Sequence, residues 1–157
     1  MSFAPWPAYS SDEIDAVADV LSSGGVNYWT GDNGKSFEAE FAAHSKSEYA
    51  VALANGTVAL DLALNALEVR PGDEVIVTPT TFLASVSSII NAGATPVFAD
   101  VDLDSQNITP ESVESVLSSK TKAVVCVHLA GWPCEMDGFL DLAKEKDLSI
   151  IEDCAQA

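Results

Sequence analysis

The stretch YAVALANGTVALDLALNAL, residues 49–67, places an Asn-Gly dipeptide between two apolar runs. An Asn-Gly pair between hydrophobic segments is a strong local signal for a β-hairpin turn. The second run does not alternate as a strand would, because Leu60, Leu64 and Leu67 recur at the spacing of one helix face. The stretch therefore predicts a strand over its first six residues and then a helix capped by Asn55.

The turn that opens this helix predicts a site for an anion. Gly56 lets a ligand approach the backbone closely, and the Thr57 hydroxyl adds a hydrogen-bond donor. Free amides and the positive end of the helix dipole favour a phosphate at such a place. The local alternative is an ordinary capped turn between a strand and a helix.

Downstream of this turn, short β-branched runs alternate with longer helical patterns. The strand-like runs are EVIVTP, TPVFADV, KAVVCVHLA and LSIIED, and the helical patterns between them are LASVSSIINAG, TPESVESVLSS and EMDGFLDLAKEKD. Apolar runs without alternation are typical of strands covered on both faces. The repeated units predict an α/β fold, a mostly parallel sheet with flanking helices. We expect one domain, with an N-terminal helical segment over residues 1–48 and a β/α core over residues 49–157.

Two later positions predict the remaining parts of a site for a flat, cationic ring. Asp153 ends the last strand, where a poorly solvated carboxylate needs a cationic partner such as a protonated pyridine nitrogen. Gln156, three residues on, could donate a hydrogen bond to another group of that ring. Phe82 follows the EVIVTP strand, where an aromatic side chain can stack on a heterocycle. The local alternatives are a helix-capping Asp153 and a core Phe82.

Composition excludes several classes of partner. Asp plus Glu number 24 against 7 Lys plus Arg, a net charge of −17, which disfavours nucleic acid. The apolar stretches are interrupted too often to span a bilayer, so no membrane partner is expected. The three cysteines form no CxxC pair and no signal sequence precedes them, which favours a cytoplasmic location.

No metal site is expected. The only two histidines, His44 and His128, lie far apart in the sequence. Acidic residues follow part of a calcium-loop spacing, but Ser105 replaces the required glycine and a strand precedes the loop.

Seven stretches in order resemble the DegT/DnrJ/EryC1/StrS family of sugar-nucleotide aminotransferases, which share the type I (aspartate aminotransferase-like) fold of enzymes that use pyridoxal 5′-phosphate (PLP). These stretches are NYWTG, FEAEFA, NGTVALDLAL, PGDEVIVTPTTFLAS, GATPVFADVD, TKAVVCVHLAGWPCEMD and IIEDCAQA. The resemblance implies that the chain is the N-terminal part of the PLP-binding large domain.

The resemblance also implies roles for individual residues. Gly56 and Thr57 match the turn that holds the cofactor phosphate, and Phe82 matches the aromatic residue that stacks on the ring. Asp153 matches the catalytic carboxylate that pairs with the pyridine nitrogen, and Gln156 matches a polar residue facing the ring. The implied partners are a keto-sugar nucleotide, an amino-acid donor (glutamate) and a second subunit in a homodimer.

None of the six lysines matches the family's Schiff-base position, which lies beyond the Asp153 motif: Lys35, Lys46, Lys120, Lys122, Lys144 and Lys146. We therefore expect an incomplete large domain that is inactive by itself, because the nucleophile and proton carrier are missing. Two alternatives stay open. One is a related PLP-dependent sugar dehydratase with histidine in place of that lysine, and the other is a non-catalytic α/β binding module.

Overall fold

The computed structural model describes residues 7–157, and the chain divides into two compact units between Ala52 and Leu53. The first unit contains helices α1 (Ser11–Ser23) and α2 (Asn33–Ser45). Ser10 and Glu13 form a reciprocal capping box at the start of α1, and the helix ends at Gly24, with φ of 74°. Residues 1–6 of the predicted N-terminal segment lie outside the described residues.

The strand predicted at residues 49–54 is wrong. This segment is irregular, and the side chains of Tyr49 and Val51 are 78% and 66% exposed. An apolar run becomes a strand only when a neighbouring strand supplies its hydrogen bonds. The sheet of the described residues offers none to this segment.

The second unit is a four-stranded parallel sheet with flanking helices. Its elements in chain order are α3 (Gly56–Ala66), β1 (Glu74–Val77), α4 (Leu83–Asn91), β2 (Thr95–Phe98), α5 (Pro110–Glu114), β3 (Thr121–Val127), α6 (Met136–Lys146) and β4 (Ser149–Asp153). The strand order is β2-β1-β3-β4, and every pairing is parallel. The predicted α/β fold with a parallel sheet is therefore confirmed.

Both faces of the sheet are covered, which explains the unbroken apolar runs of its strands. Val75 and Val77 of β1 pack with Leu64 of α3 and Ile89 of α4 on one face. Ile76, between the two valines, belongs to the core on the other face. The residues of the two central strands, β1 and β3, thus meet an apolar layer whichever way they point.

The strand order also creates a crevice at one end of the sheet. From β1 the chain crosses to β2 on one side and then returns to β3 on the other side. Open α/β sheets bind ligands at the carboxyl ends of strands where the order reverses in this way. Among residues 7–157, no helix is both long and apolar enough to cross a bilayer.

Candidate functional site

A cleft of about 670 Å³ opens at this carboxyl edge of the sheet. The ends of β1, β3 and β4 and the first turn of α3 surround it, through Gly56, Thr57, Leu60, Thr80, Thr81, Phe82, Ala84, Val127, His128, Leu129, Asp153, Ala155 and Gln156. All five residues singled out from the sequence (Gly56, Thr57, Phe82, Asp153 and Gln156) line this one cleft. The start of α3, the turn between β1 and α4 and the end of β4 thus meet around one space.

The first turn of α3 faces the cleft with backbone donors. Asn55 is the N-cap, and its side-chain oxygen accepts a hydrogen bond from the Val58 N–H at 3.0 Å. The predicted helix start is therefore confirmed, and the hairpin reading is wrong. The N–H groups of Gly56 and Thr57 have no acceptor within an α-helix and can bind an external anion.

The space above Gly56 is open. A Cβ atom built on Gly56 would meet no other atom within 4 Å. Neither the local packing nor the backbone requires glycine here, since the residue starts an ordinary helix. The empty volume over the helix start fits an anionic group that lies against the backbone.

Phe82 is a cleft wall and not a core residue. It is the residue before α4, and its side chain is 77% exposed although it is a large apolar group. The alternative of a core phenylalanine is therefore wrong. An exposed aromatic ring at the rim of a cleft can cover one face of a flat ligand.

Asp153 is held by neighbouring donors at the end of β4. The Ser85 hydroxyl donates to Asp153 Oδ2 at 2.8 Å, and the Ala155 N–H donates to Oδ1 at 3.3 Å. Thr81 Oγ1 lies 2.8 Å from Ser85 Oγ and extends the chain of hydroxyl groups. Ser85 is only 1% exposed, so these bonds fix the carboxylate in one orientation.

Gln156 is anchored through the carbonyl half of its amide. Its Oε1 accepts a hydrogen bond from the Ala130 N–H at 2.8 Å, so the NH₂ half is the part that can donate to a ligand. Gly131 makes the close approach possible, because its φ is 82° and a Cβ there would lie 2.9 Å from the Gln156 carbonyl oxygen.

His128 also lines the cleft, but both of its ring nitrogens have hydrogen-bond partners within the protein. Nδ1 accepts a hydrogen bond from the Cys134 N–H at 3.0 Å, and Nε2 lies 2.9 Å from the Glu152 carboxylate. Although the His128, Glu152 and Cys154 ligand atoms lie within 4.8 Å of one another, the Cys134 bond places the proton on Nε2. A metal at Nε2 would need the opposite tautomer, so this cluster is poorly suited to hold one.

Sequence reasoning missed Ser85 and Thr81. The only signal was a serine within the apolar pattern LASVSSII, where a buried hydroxyl needs a partner. That partner is Asp153, which is 68 residues away in the chain, and only the parallel arrangement of β1 and β4 around β3 brings the two together.

The fold and the cleft define an α/β protein whose ligand site lies at the reversal point of a parallel sheet. A model of the DegT/DnrJ/EryC1/StrS aminotransferase family matches residues 7–157. The chain therefore belongs to this family.

Two curated relatives show how much of such proteins the chain covers. It is 42% identical over 154 residues to GDP-perosamine synthase from Escherichia coli O157:H7, covering 96% of this chain and 41% of that protein. It is 47% identical over 147 residues to UDP-N-acetyl-3-dehydro-alpha-D-glucosamine 3-aminotransferase from Acidithiobacillus ferrooxidans, covering 93% and 39%. The chain thus spans about 40% of the length of the curated relatives that it matches.

Solved structures agree with this assignment. The aminotransferase from Psychrobacter cryohalolentis superposes with a TM-score of 0.97 at 60% identity, over 99% of this chain and 40% of that chain. The PLP form of Spr1654 from Streptococcus pneumoniae superposes with a TM-score of 0.82 at 36% identity, over 95% and 38%.

Proposed function

We propose that these 157 residues form the cofactor-binding part of a PLP-dependent aminotransferase that transfers an amino group to a keto-sugar nucleotide. One observation carries the proposal. An anion-binding helix start, an exposed aromatic ring and a hydrogen-bonded carboxylate line the same cleft. These are the three groups that a phosphorylated, protonated pyridine needs.

Each group has a separate task. The N–H groups of Gly56 and Thr57 bind the cofactor phosphate, and the Phe82 ring covers one face of the pyridine. Asp153 pairs with the ring nitrogen and keeps it protonated, and Gln156 donates to a polar substituent of the ring. With its nitrogen protonated, bound PLP supplies an electron sink for the bonds at the substrate carbon.

The names of the relatives support a sugar nucleotide as substrate. One carries a GDP-linked sugar in its name and the other a UDP-linked keto sugar. The two names share the nucleotide-linked sugar but differ in the base. We therefore propose this substrate class, with glutamate as donor and a cytoplasmic homodimer as the working form by family resemblance.

The lysines of the second unit support reversible binding of the cofactor by this chain. Lys120, Lys122, Lys144 and Lys146 all lie away from the cleft, and none is among its lining residues. A carbonyl group held at this site therefore meets no amine of this unit. By itself, the chain is proposed to bind PLP without forming a Schiff base and to lack aminotransferase activity.

A titration with PLP followed by borohydride reduction tests this proposal. We expect saturable binding at one site, with no stoichiometric mass increase of the chain after reduction. Asp153→Asn should weaken binding about 10-fold or more, because it removes the charged partner of the ring nitrogen.

Asp141→Asn is a control for nonspecific effects of removing a negative charge, since Asp141 lies on the surface of α6 and does not line this cleft. This variant should bind PLP like the parent chain. Absence of saturable binding would contradict the proposal and leave a binding module of another specificity. Equal affinity of the parent and Asp153→Asn chains would remove Asp153 from its proposed role.

A further inference from the structure

The Asp153 carboxylate is oriented by a chain of two hydroxyl groups that starts in the turn between β1 and α4. Thr81 Oγ1 and Ser85 Oγ lie 2.8 Å apart, and Ser85 Oγ lies 2.8 Å from Asp153 Oδ2. We infer that Ser85, supported by Thr81, is a positioning residue that sets the angle at which Asp153 meets the ring nitrogen of a bound vitamin B6 phosphate. This inference rests on the proposed function.

The direction of the hydrogen bonds follows from the chemistry of the three groups. An ionised carboxylate can only accept, so the Ser85 hydroxyl must donate its single proton to Asp153. Ser85 Oγ can then only accept from Thr81. The order Thr81 to Ser85 to Asp153 is thus fixed as long as Asp153 carries its charge.

No cation among residues 53–157 forms an ion pair that would hold the Asp153 carboxylate in place. Among residues 53–157, the ion pairs that form involve His128 and Lys146, and neither includes Asp153. The neighbours of Asp153 in the chain are Glu152, which is negative, and Cys154, which is uncharged when protonated. Hydroxyl and amide donors are therefore what holds the Asp153 carboxylate in place.

Burial makes this orientation rigid. Ser85 is 1% exposed within α4, and its neighbour Ala84 is also buried. The buried Ser85 hydroxyl is shielded from bulk water. If its bond to Asp153 Oδ2 is removed, that oxygen loses this partner and the carboxylate becomes free to rotate. A carboxylate that must face one ring atom loses affinity when it can turn away.

Ser88 provides a matched control on the same helix. It is also 1% exposed, but its Oγ has no hydrogen-bond partner among the described residues. Removing the Ser88 hydroxyl therefore changes the same kind of buried atom without affecting Asp153. Comparing Ser85→Ala with Ser88→Ala therefore separates the positioning of Asp153 from a general effect of altering α4.

Pyridoxine 5′-phosphate is the probe, because it has no aldehyde and cannot react with the six lysines. Affinity is measured by its fluorescence, and the pKa of its bound ring nitrogen by an absorbance titration. Ser85→Ala should weaken binding about 10-fold and lower the pKa of that nitrogen. Ser88→Ala should match the parent chain in both, and Ser85→Thr, which keeps the hydroxyl, should restore much of the loss.

Equal affinity and equal ring-nitrogen pKa for Ser85→Ala and Ser88→Ala would overturn this inference while leaving the proposed function intact. Failure of the parent chain to bind the probe would overturn both. Thermal unfolding identifies a Ser85→Ala chain that does not fold. If Ser85→Ala does not fold, Thr81→Val is used in its place, because it keeps the side-chain shape but removes the hydroxyl that donates to Ser85. A lowered pKa of the ring nitrogen in Thr81→Val supports the inference, and an unchanged pKa overturns it.

Discussion

At the scale of single residues, two glycines beside the cleft have different reasons to be glycine. A Cβ at Gly56 would meet no atom within 4 Å, whereas one at Gly131, with φ of 82°, would lie 2.9 Å from the Gln156 carbonyl oxygen. The fold therefore needs Gly131, but it does not need Gly56. If Gly56 is needed, the requirement comes from a ligand.

Replacing these glycines separates folding from binding. Gly56→Ala should leave the free energy of unfolding unchanged or raise it by up to about 1 kcal/mol, because alanine favours the helix. The same change should weaken binding of pyridoxine 5′-phosphate. Gly131→Ala should lower the free energy of unfolding by about 1–3 kcal/mol through backbone strain. Urea unfolding measures the free energy of unfolding, and the fluorescence of pyridoxine 5′-phosphate measures its affinity. A stable Gly56→Ala chain with full affinity would contradict the proposed phosphate site.

Cys154 should be the one cysteine of the native chain that alkylates, and only slowly at neutral pH. Cys126 and Cys134 are 0% and 5% exposed, whereas Cys154 is exposed. Burial raises the pKa of Cys154, and the nearby Glu152 and Asp153 charges raise it further. Because the thiolate is the reactive form, the iodoacetamide rate should reach its midpoint above the usual pH of about 8.5.

Mass spectrometry of native and urea-unfolded chains measures this labelling. One label in the native chain and three in the unfolded chain are expected. Rapid labelling of Cys154 at neutral pH would contradict its raised pKa. Labelling of a second native thiol would contradict the burial of Cys126 and Cys134.

At the scale of elements, the turn between β3 and α6 is clamped by a buried asparagine. Asn107 is 3% exposed, and its Nδ2 donates to the Trp132 carbonyl at 2.8 Å. Its Oδ1 accepts from the Leu129 N–H at 3.4 Å. These bonds hold the turn that carries Ala130, whose N–H anchors Gln156. Asn107 therefore supports the turn that lines one side of the cleft through Leu129.

Asn107→Ala should lower the free energy of unfolding by about 1–3 kcal/mol, because it removes both hydrogen bonds that this buried side chain makes to the turn. Hydrogen exchange at Ala130 and Trp132 should become faster at the same time. Asn91→Ala, at an exposed position of α4, should change stability by no more than about 0.5 kcal/mol. If the exchange rates in the turn stay at parent values, Asn107 does not hold it.

Most elements were predictable because their signals are local. The four strands of the sheet follow from β-branched runs, and α3 follows from the spacing of its leucines and the Asn55 cap. Residues 49–54 carry the same kind of run but form no strand, because pairing depends on a neighbour that the local pattern cannot reveal. The Ser85 bond to Asp153 was hidden for a similar reason, since its partner is distant in sequence.

At the level of the whole molecule, the proposed function requires a chain of net charge −17 to bind a phosphate. The groups around the proposed phosphate position are backbone amides and a hydroxyl, which carry no net charge. Under the proposed function, long-range repulsion opposes the ligand, and these local donors must overcome it.

Salt should accordingly strengthen binding or leave it unchanged. Raising the ionic strength from low to physiological values screens the repulsion between the chain and pyridoxine 5′-phosphate. Isothermal titration at several concentrations of a chloride salt measures the effect. A steep loss of affinity with salt would indicate that lysine or arginine side chains hold the phosphate instead.

Under the proposed function, one vitamin B6 phosphate contacts three junctions of the chain at once: the start of α3, the turn between β1 and α4, and the end of β4. Backbone amide chemical shifts of the labelled chain, followed by NMR during titration with pyridoxine 5′-phosphate, test it most directly. The largest shifts should fall together at Gly56 and Thr57, at Phe82, and at Asp153 and Gln156, with saturation at one concentration. Shifts confined to one of these junctions, or centred at the opposite edge of the sheet, would contradict it.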